Sequence, residues 1–170
     1  MVALDSLWPK VYLPKFREYL NNTRQNDGEI LVSLPLDGEG RTITSSPSSN
    51  SVAVTFPEKE ADALDAIYVF THEVVGTLAA QVIADNTTPA EKQNGVAAGY
   101  ASPAAVRGGV IVLKRIAPEL VAGYERYYLR SANASFTPGT EEATMARVFP
   151  LPQSILYGMT HQLEIVFGGI

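Results

Sequence analysis

The chain has 170 residues, of which 46% are hydrophobic, and this suits one compact domain with a buried core. Its net charge is only -5, and no basic stripe alternates with aromatic residues, so the composition argues against nucleic acid as a partner. Because the chain has no cysteine, disulfides, thiolate metal ligands and cysteine nucleophiles are excluded, and any bound metal would have to rest on His, Asp and Glu.

The first residues lack a basic region followed by an apolar core, and no run approaches the roughly 18 apolar residues of a spanning helix. We therefore expect a soluble protein without a membrane span, either cytoplasmic or secreted after removal of a signal peptide. The pattern carries no prediction of the oligomeric state.

The N-terminal third predicts one helix and a small sheet. Apolar residues at three- and four-residue spacing predict a helix over residues 9–22. Two extended segments, 29–36 and 41–45, are joined by the turn-forming residues 37–40 and predict a β-hairpin, and residues 52–56 predict a third strand. The expected sheet is antiparallel or mixed.

The rest of the chain is predicted to be helical. A long apolar stripe predicts a helix from about residue 58 to residue 86, and a hydroxyl residue before a proline marks two helix starts, at Thr88 and Ser102. We expect the first of these to run to about residue 100 and the second to break at Pro118, because an interior proline loses a backbone hydrogen bond.

Two further helices and a loop complete the prediction. Residues 119–131 and 152–167 show helical spacing, whereas residues 133–147 show no clean periodicity and predict a loop. The fold class is therefore α+β, with a small N-terminal sheet packed on a predominantly helical C-terminal part.

The long helix carries the pair His72-Glu73, followed by Gly76. In the HExxH motif two histidines four residues apart lie on one helical face and hold zinc, while the glutamate between them acts as general base. Here Gly76 occupies the second histidine position. Since a mid-helix glycine costs about 1 kcal/mol relative to alanine, we expect a packing reason for Gly76.

The order of elements and the segment 66–76 resemble the catalytic domain of zincin metallopeptidases. The resemblance covers roughly residues 29–125 and implies that an edge strand borders a substrate cleft beside the zinc helix. We expect a single zincin-like domain over residues 1–170. It implies that His72 is a zinc ligand and that Glu73 is the catalytic base. In the branch of zincins that uses a glutamate ligand, a later helix supplies the third ligand, and Glu119 and Glu125 are the candidates.

His161 is the only other histidine, and it could supply the missing imidazole if the terminal helix packs on the motif helix. A catalytic zinc has three protein ligands and one open position, so His72 with a single carboxylate is too few. The sequence therefore favours a protein that binds no zinc, and it indicates no residue that would bind another cofactor.

The predicted function is that of a degenerate zincin-like relative of the metallopeptidases, a pseudoenzyme whose partner is a peptide or protein ligand. Two alternatives stay open at this point. One is an active metal-dependent peptidase, a hydrolase with an unusual ligand set. The other is a helical binding or structural domain without enzymatic activity, in which the His-Glu pair is an ordinary part of the surface or core.

Overall fold

The computed structural model describes residues 2–25, 28–34, 36, 40–46, 49–57, 59 and 62–168. The chain divides into two compact units, Met1–Val74 and Val75–Ile170. The predicted α+β class is confirmed, because one small mixed sheet accompanies a predominantly helical chain. The zincin-like arrangement and the description as a single domain stay predictions.

The first unit begins with a nearly continuous helical run. It consists of α1 (Val2–Leu7), a π-helical segment (Trp8–Tyr12) and α2 (Leu13–Asn22). The predicted helix is confirmed, but it starts earlier than residue 9. Pro9 has no backbone N–H and suggests a helix start, yet here the π-helical segment accommodates this proline inside the run.

Three strands form the sheet: β1 (Glu29–Ser33), β2 (Arg41–Ser46) and β3 (Ser49–Thr55). Their order is β1-β3-β2, with β1 parallel to β3 and β2 antiparallel to β3. The predicted hairpin between the first two strands is therefore wrong, and part of its proposed turn, residues 37–39, lies outside the described residues. β3 takes the centre of the sheet, where Val52 and Val54 are fully buried.

An aromatic cluster ties the N-terminal helices to the long helix α3 (Ala63–Asp85). The ring of Trp8 lies 4.3 Å from that of Phe70 and 5.6 Å from that of Phe16, and Phe16 and Phe70 meet edge to face. The Trp8 indole also donates a hydrogen bond to the carbonyl of Gly28, 2.9 Å away. This cluster holds the N-terminal helices over the start of β1.

Helix α3 confirms most of the long helix predicted from about residue 58 to residue 86, although it begins at Ala63, and it contributes to both units. Residues 58, 60 and 61 of the predicted helix lie outside the described residues. The Val74 carbonyl of α3 accepts two buried side-chain hydrogen bonds, from the Tyr19 hydroxyl at 3.2 Å and from the Gln25 amide at 2.9 Å. Burying these polar groups is favourable only while they are paired. The residues next to His72 and Glu73 are therefore fixed against α2 and the turn that follows it.

The second unit contains the second half of α3 and six further helices: α4 (Pro89–Gln93), α5 (Val96–Gly99), α6 (Ala101–Ile116), α7 (Val121–Ser131), α8 (Glu141–Val148) and α9 (Gln153–Val166). The predicted break at Pro118 is confirmed, because α6 ends at Ile116 and a 3-10 turn, Pro118–Leu120, precedes α7.

Two parts of the helical prediction are wrong. The segment from Thr88 to about residue 100 forms two short helices, because Gly95 adopts a left-handed conformation with φ of 81° between them. Residues 133–147 are not all loop, since α8 forms there and buries Thr144 and Met145. Its eight residues are too few for the periodicity to stand out beside the Thr137-Pro138-Gly139 turn.

Two helical stretches, Ala63–Asp85 and Val96–Ile116, are long and apolar enough to cross a membrane by length and composition alone. Each reaches a mean hydropathy of 1.4, with 61% and 50% of the respective windows buried inside the protein. Core helices of soluble proteins have the same features. The expectation that no segment spans a membrane stays a prediction.

Candidate functional site

The Glu73 carboxylate lies against the edge strand β2. Its Oε2 accepts a hydrogen bond from the Thr42 hydroxyl at 2.9 Å, and the carboxylate also accepts one from the Thr42 backbone amide. On its other side, Nδ1 of His72 lies 3.3 Å from Oε1. The two side chains of the pair are 23% and 18% exposed, so solvent still reaches them.

These contacts favour the ionised form of Glu73. Burial by itself raises the pKa of the Glu73 carboxyl, but the hydrogen bonds from His72 and Thr42 outweigh it and leave the pKa below its ordinary value of 4.5. Glu73 is therefore an ionised hydrogen-bond acceptor at neutral pH, the state that a general base or a peptide-binding carboxylate requires.

The hydrogen bonds of the sheet place this carboxylate at its edge, because β2 pairs with β3 alone among the described residues. The Phe56 amide donates to the Ser33 carbonyl at 3.2 Å, so the even-numbered residues of β3 direct their backbone groups toward β1 and the odd-numbered ones toward β2. Ala53 and Ser51 therefore pair with Arg41 and Ile43. The backbone groups of Thr42 point away from β3, which is why Glu73 can reach its amide.

Gly76 lies one helical turn after His72 on the same face of α3. The predicted packing reason for this glycine is wrong, because a Cβ added there would have no neighbour within 4 Å in the part of the chain that the structure describes. The second ligand position of the motif is thus filled by a residue without a side chain, and no described residue occupies the position of its Cβ.

The other sequence-predicted ligands belong to the second unit. Glu119 is exposed on the 3-10 turn, and His161 is exposed on α9, where its ring stacks on Tyr157 with centroids 6.2 Å apart. Glu125 is buried on α7. Within the described residues, no group of three or more His, Asp and Glu side chains is arranged to hold a metal ion. The ligand roles of these residues stay predictions.

Glu125 belongs to a charged cluster that the sequence did not reveal, because the cluster is assembled from three helices. Lys114 and Arg107 on α6 and Glu141 and Glu142 on α8 all act on its carboxyl. Lys114 also forms a 2.7 Å ion pair with Glu142. Burial raises the pKa of Glu125, and the neighbouring carboxylates add to this while Lys114 opposes it.

Glu125→Gln is expected to raise the melting temperature at pH 7 and to leave it nearly unchanged at pH 4. The folded-state pKa of Glu125 lies above the ordinary value of 4.5, so the folded protein binds this proton more tightly than the unfolded chain does. The stability that the bound proton contributes is therefore lost as the pH rises from 4.5 through the folded-state pKa. Thermal melts at the two pH values measure this, with the exposed Glu119→Gln as the matched control. A lower melting temperature at pH 7 would contradict the account.

Thr42 is the residue of the site that sequence reasoning missed. The sequence indicates only that Thr42 lies in a short extended segment. No local pattern predicts which helix that strand will contact.

No protein-family model, curated protein or solved structure matches this chain. The resemblance to zincins therefore depends on the His72-Glu73 segment and on the order of the elements around it.

Proposed function

We propose that this protein is a zincin-like relative of the metallopeptidases that binds an extended peptide along β2 and whose zinc site is incomplete at Gly76. The observation that carries the proposal is the position of the Glu73 carboxylate on the outward-facing amide of Thr42. A carboxylate at that point lies beside the backbone of any peptide that pairs with this edge.

Strand addition at β2 has a physical basis in the backbone groups of that strand that point away from β3. An extended peptide gains main-chain hydrogen bonds from an exposed sheet edge and gains specificity from the side chains around it. Glu73 satisfies the Thr42 amide when no peptide is present, so binding exchanges this bond for one to a peptide carbonyl. The freed carboxylate then faces the bound backbone.

The described residues do not fit a catalytic zinc. Such a site needs three protein ligands and an open position, whereas the motif helix offers His72 and then Gly76. We therefore assign no hydrolytic step to Glu73, and the proposed activity is peptide binding without cleavage.

A peptide library displayed on phage and selected against the immobilised protein tests the proposal. Selected peptides should bind without being cleaved, with or without added zinc, and Thr42→Pro should weaken them about tenfold, because this strand then lacks the outward amide. Binding is measured by fluorescence anisotropy and cleavage by mass spectrometry.

Two results would contradict the proposal. Zinc-dependent cleavage that is lost in both His72→Ala and Glu73→Gln would instead establish an active peptidase. Failure to select any peptide, together with unchanged stability in Glu73→Gln, would leave the pair without a binding role and favour a structural domain.

A further inference from the structure

The start of β2 lies very close to helix α3, and Gly40 is the residue that permits this approach. Gly40 immediately precedes the strand and is half-buried. A Cβ added there would overlap a methyl group of Val69, and it would lie 2.8 Å from Cγ and 3.3 Å from Cδ of Glu73. Any larger residue at this position would therefore force either the strand or a side chain of α3 to move.

Space, and not backbone conformation, requires glycine at this position. Gly40 is not among the glycines with a positive φ, so an L-residue could adopt its backbone conformation without strain. Val69 cannot easily make room, because it is buried and a β-branched side chain in a helix has one strongly preferred rotamer. The close approach of β2 to α3 therefore depends on the missing side chain of Gly40.

This approach places Thr42 on the Glu73 carboxylate. Alternate residues of a strand share one face, so Gly40 and Thr42 both face the row of α3 that Val69 and Glu73 form. The Thr42 hydroxyl and the Thr42 backbone amide both donate to the carboxylate. A side chain at Gly40 would push β2 away from α3 or turn the Cγ of Glu73 aside, and either movement uncovers the Thr42 amide.

The covered amide is the one that an added strand would need. Arg41 and Ile43 direct their backbone groups toward β3, so Thr42, between them, directs its own toward the edge. A peptide carbonyl that pairs with this amide must displace the Glu73 carboxylate. Hydrogen bonds to an ionised group are roughly twice as strong as those between neutral groups, so this exchange opposes peptide binding.

We infer that Gly40 is a positioning residue that holds Glu73 over the Thr42 amide, so that the β2 edge stays closed until a peptide displaces the carboxylate. The inference rests on the proposed function, because it concerns the edge at which the peptide would bind. Its distinctive consequence is the direction of change. Removal of a carboxylate that covers the edge strengthens peptide binding, whereas removal of a carboxylate that contacts the peptide weakens it.

Amide hydrogen exchange measured by NMR tests the position of the carboxylate without any peptide. The Thr42 amide should exchange about tenfold faster in Gly40→Ala and in Glu73→Ala than in wild type, because a hydrogen bond to a charged group is lost. The amides of Arg41 and Ile43 should keep their rates, since they are directed toward β3.

Two further variants show whether the close contact is the cause. Val69→Ala in the Gly40→Ala background gives the new methyl group room and should restore part of the protection of the Thr42 amide. Gly99→Ala is the matched control, because a Cβ there has no described neighbour within 4 Å, and it should exchange as wild type does. Circular dichroism melts confirm that each variant folds.

Peptide affinity gives the second readout. The tightest-binding peptide from the phage selection on wild type is titrated into each variant and followed by fluorescence anisotropy. It should bind about tenfold more tightly to Gly40→Ala and to Glu73→Ala than to wild type, because no carboxylate has to be displaced. Gly99→Ala should bind it with the affinity of wild type.

Three results would overturn the inference. One is an unchanged Thr42 exchange rate in Gly40→Ala. Another is equal acceleration of the Thr42, Arg41 and Ile43 amides, which would show that the strand has merely detached from the sheet. The third is weaker peptide binding in Glu73→Ala, which would make the carboxylate a contact of the peptide. If neither wild type nor Glu73→Ala selects any peptide while the exchange rates change as expected, the proposed function is refuted and the role of Gly40 is still supported.

Discussion

Gly109→Ala is expected to lower the melting temperature of the protein by about 6 °C, whereas Gly76→Ala should raise it by about 3 °C. Both substitutions gain about 1 kcal/mol of helix propensity. They differ in what the new methyl group meets. At Gly76 it meets no described residue within 4 Å, but at Gly109 it would overlap the Tyr124 hydroxyl and lie 2.6 Å from the ring carbon that carries it.

The overlap cannot be relieved cheaply. Tyr124 is fully buried on α7, and its ring packs against Tyr128 with centroids 4.7 Å apart. Overpacking of this kind costs about 3 kcal/mol, at the upper end for a core site, and leaves a net loss of about 2 kcal/mol after the propensity gain. Thermal melts followed by circular dichroism measure the difference between the two variants.

A double-mutant cycle identifies the cause. Tyr124→Phe removes the atom nearest to the new methyl group, so Gly109→Ala should cost less in that background than in the wild type. If the two costs are equal, the close approach of α6 and α7 is not what requires glycine at this position. A stabilising effect of Gly109→Ala would refute the packing of these helices as described.

The same close packing explains other glycines of the second unit. A Cβ at Gly108 would overlap Met159 of α9 and lie 2.7 Å from a methyl group of Val75. A Cβ at Gly158 would lie 2.8 Å from Val82. These glycines lie where helices approach closely, whereas Gly76, on the motif helix, does not.

The helices were predictable because their apolar residues repeat with a local period. Helices α7 and α9 follow that period, and their bounds agree closely with the prediction. Helix α3 is apolar on nearly all sides, so its length rather than a narrow stripe indicates a helix. Strand order was not predictable in this way. Whether β1 pairs with β2 or with β3 depends on which strand is buried on both sides, and this follows from contacts between distant parts of the chain.

In the candidate site, too, the local contacts could be predicted from the sequence and the long-range contact could not. His72 and Glu73 are neighbours on one helix, so their proximity could be predicted from the sequence. The Thr42 contact depends on the register of β2 against β3 and on which backbone groups that register turns outward. A shift of one residue would exchange the two faces of β2 and remove Thr42 from Glu73.

Gly76→His is expected to raise the affinity for zinc about a hundredfold. Loss of a residue that only hydrogen-bonds a metal ligand already lowers metal affinity about ten- to a hundredfold, and this substitution adds a ligand itself. A histidine at that position lies one turn after His72 on the same helical face, and its Cβ would have no neighbour within 4 Å among the described residues. Zinc binding is measured by competition with a chelating dye, and the bound metal by elemental analysis.

Two control variants test whether the gain in zinc affinity comes from a ligand pair formed by His72 and the new histidine. Gly76→Ala adds a side chain that cannot bind metal and should leave zinc affinity at the wild-type level, and His72→Ala combined with Gly76→His should lose most of the gain. If Gly76→His binds zinc no better than wild type, the face of α3 that carries His72 is not a vestigial metal face, and the zincin resemblance loses its physical basis. If wild type itself binds one equivalent of zinc and His72→Ala abolishes this, a ligand set beyond the motif helix must exist, and the pseudoenzyme proposal is wrong.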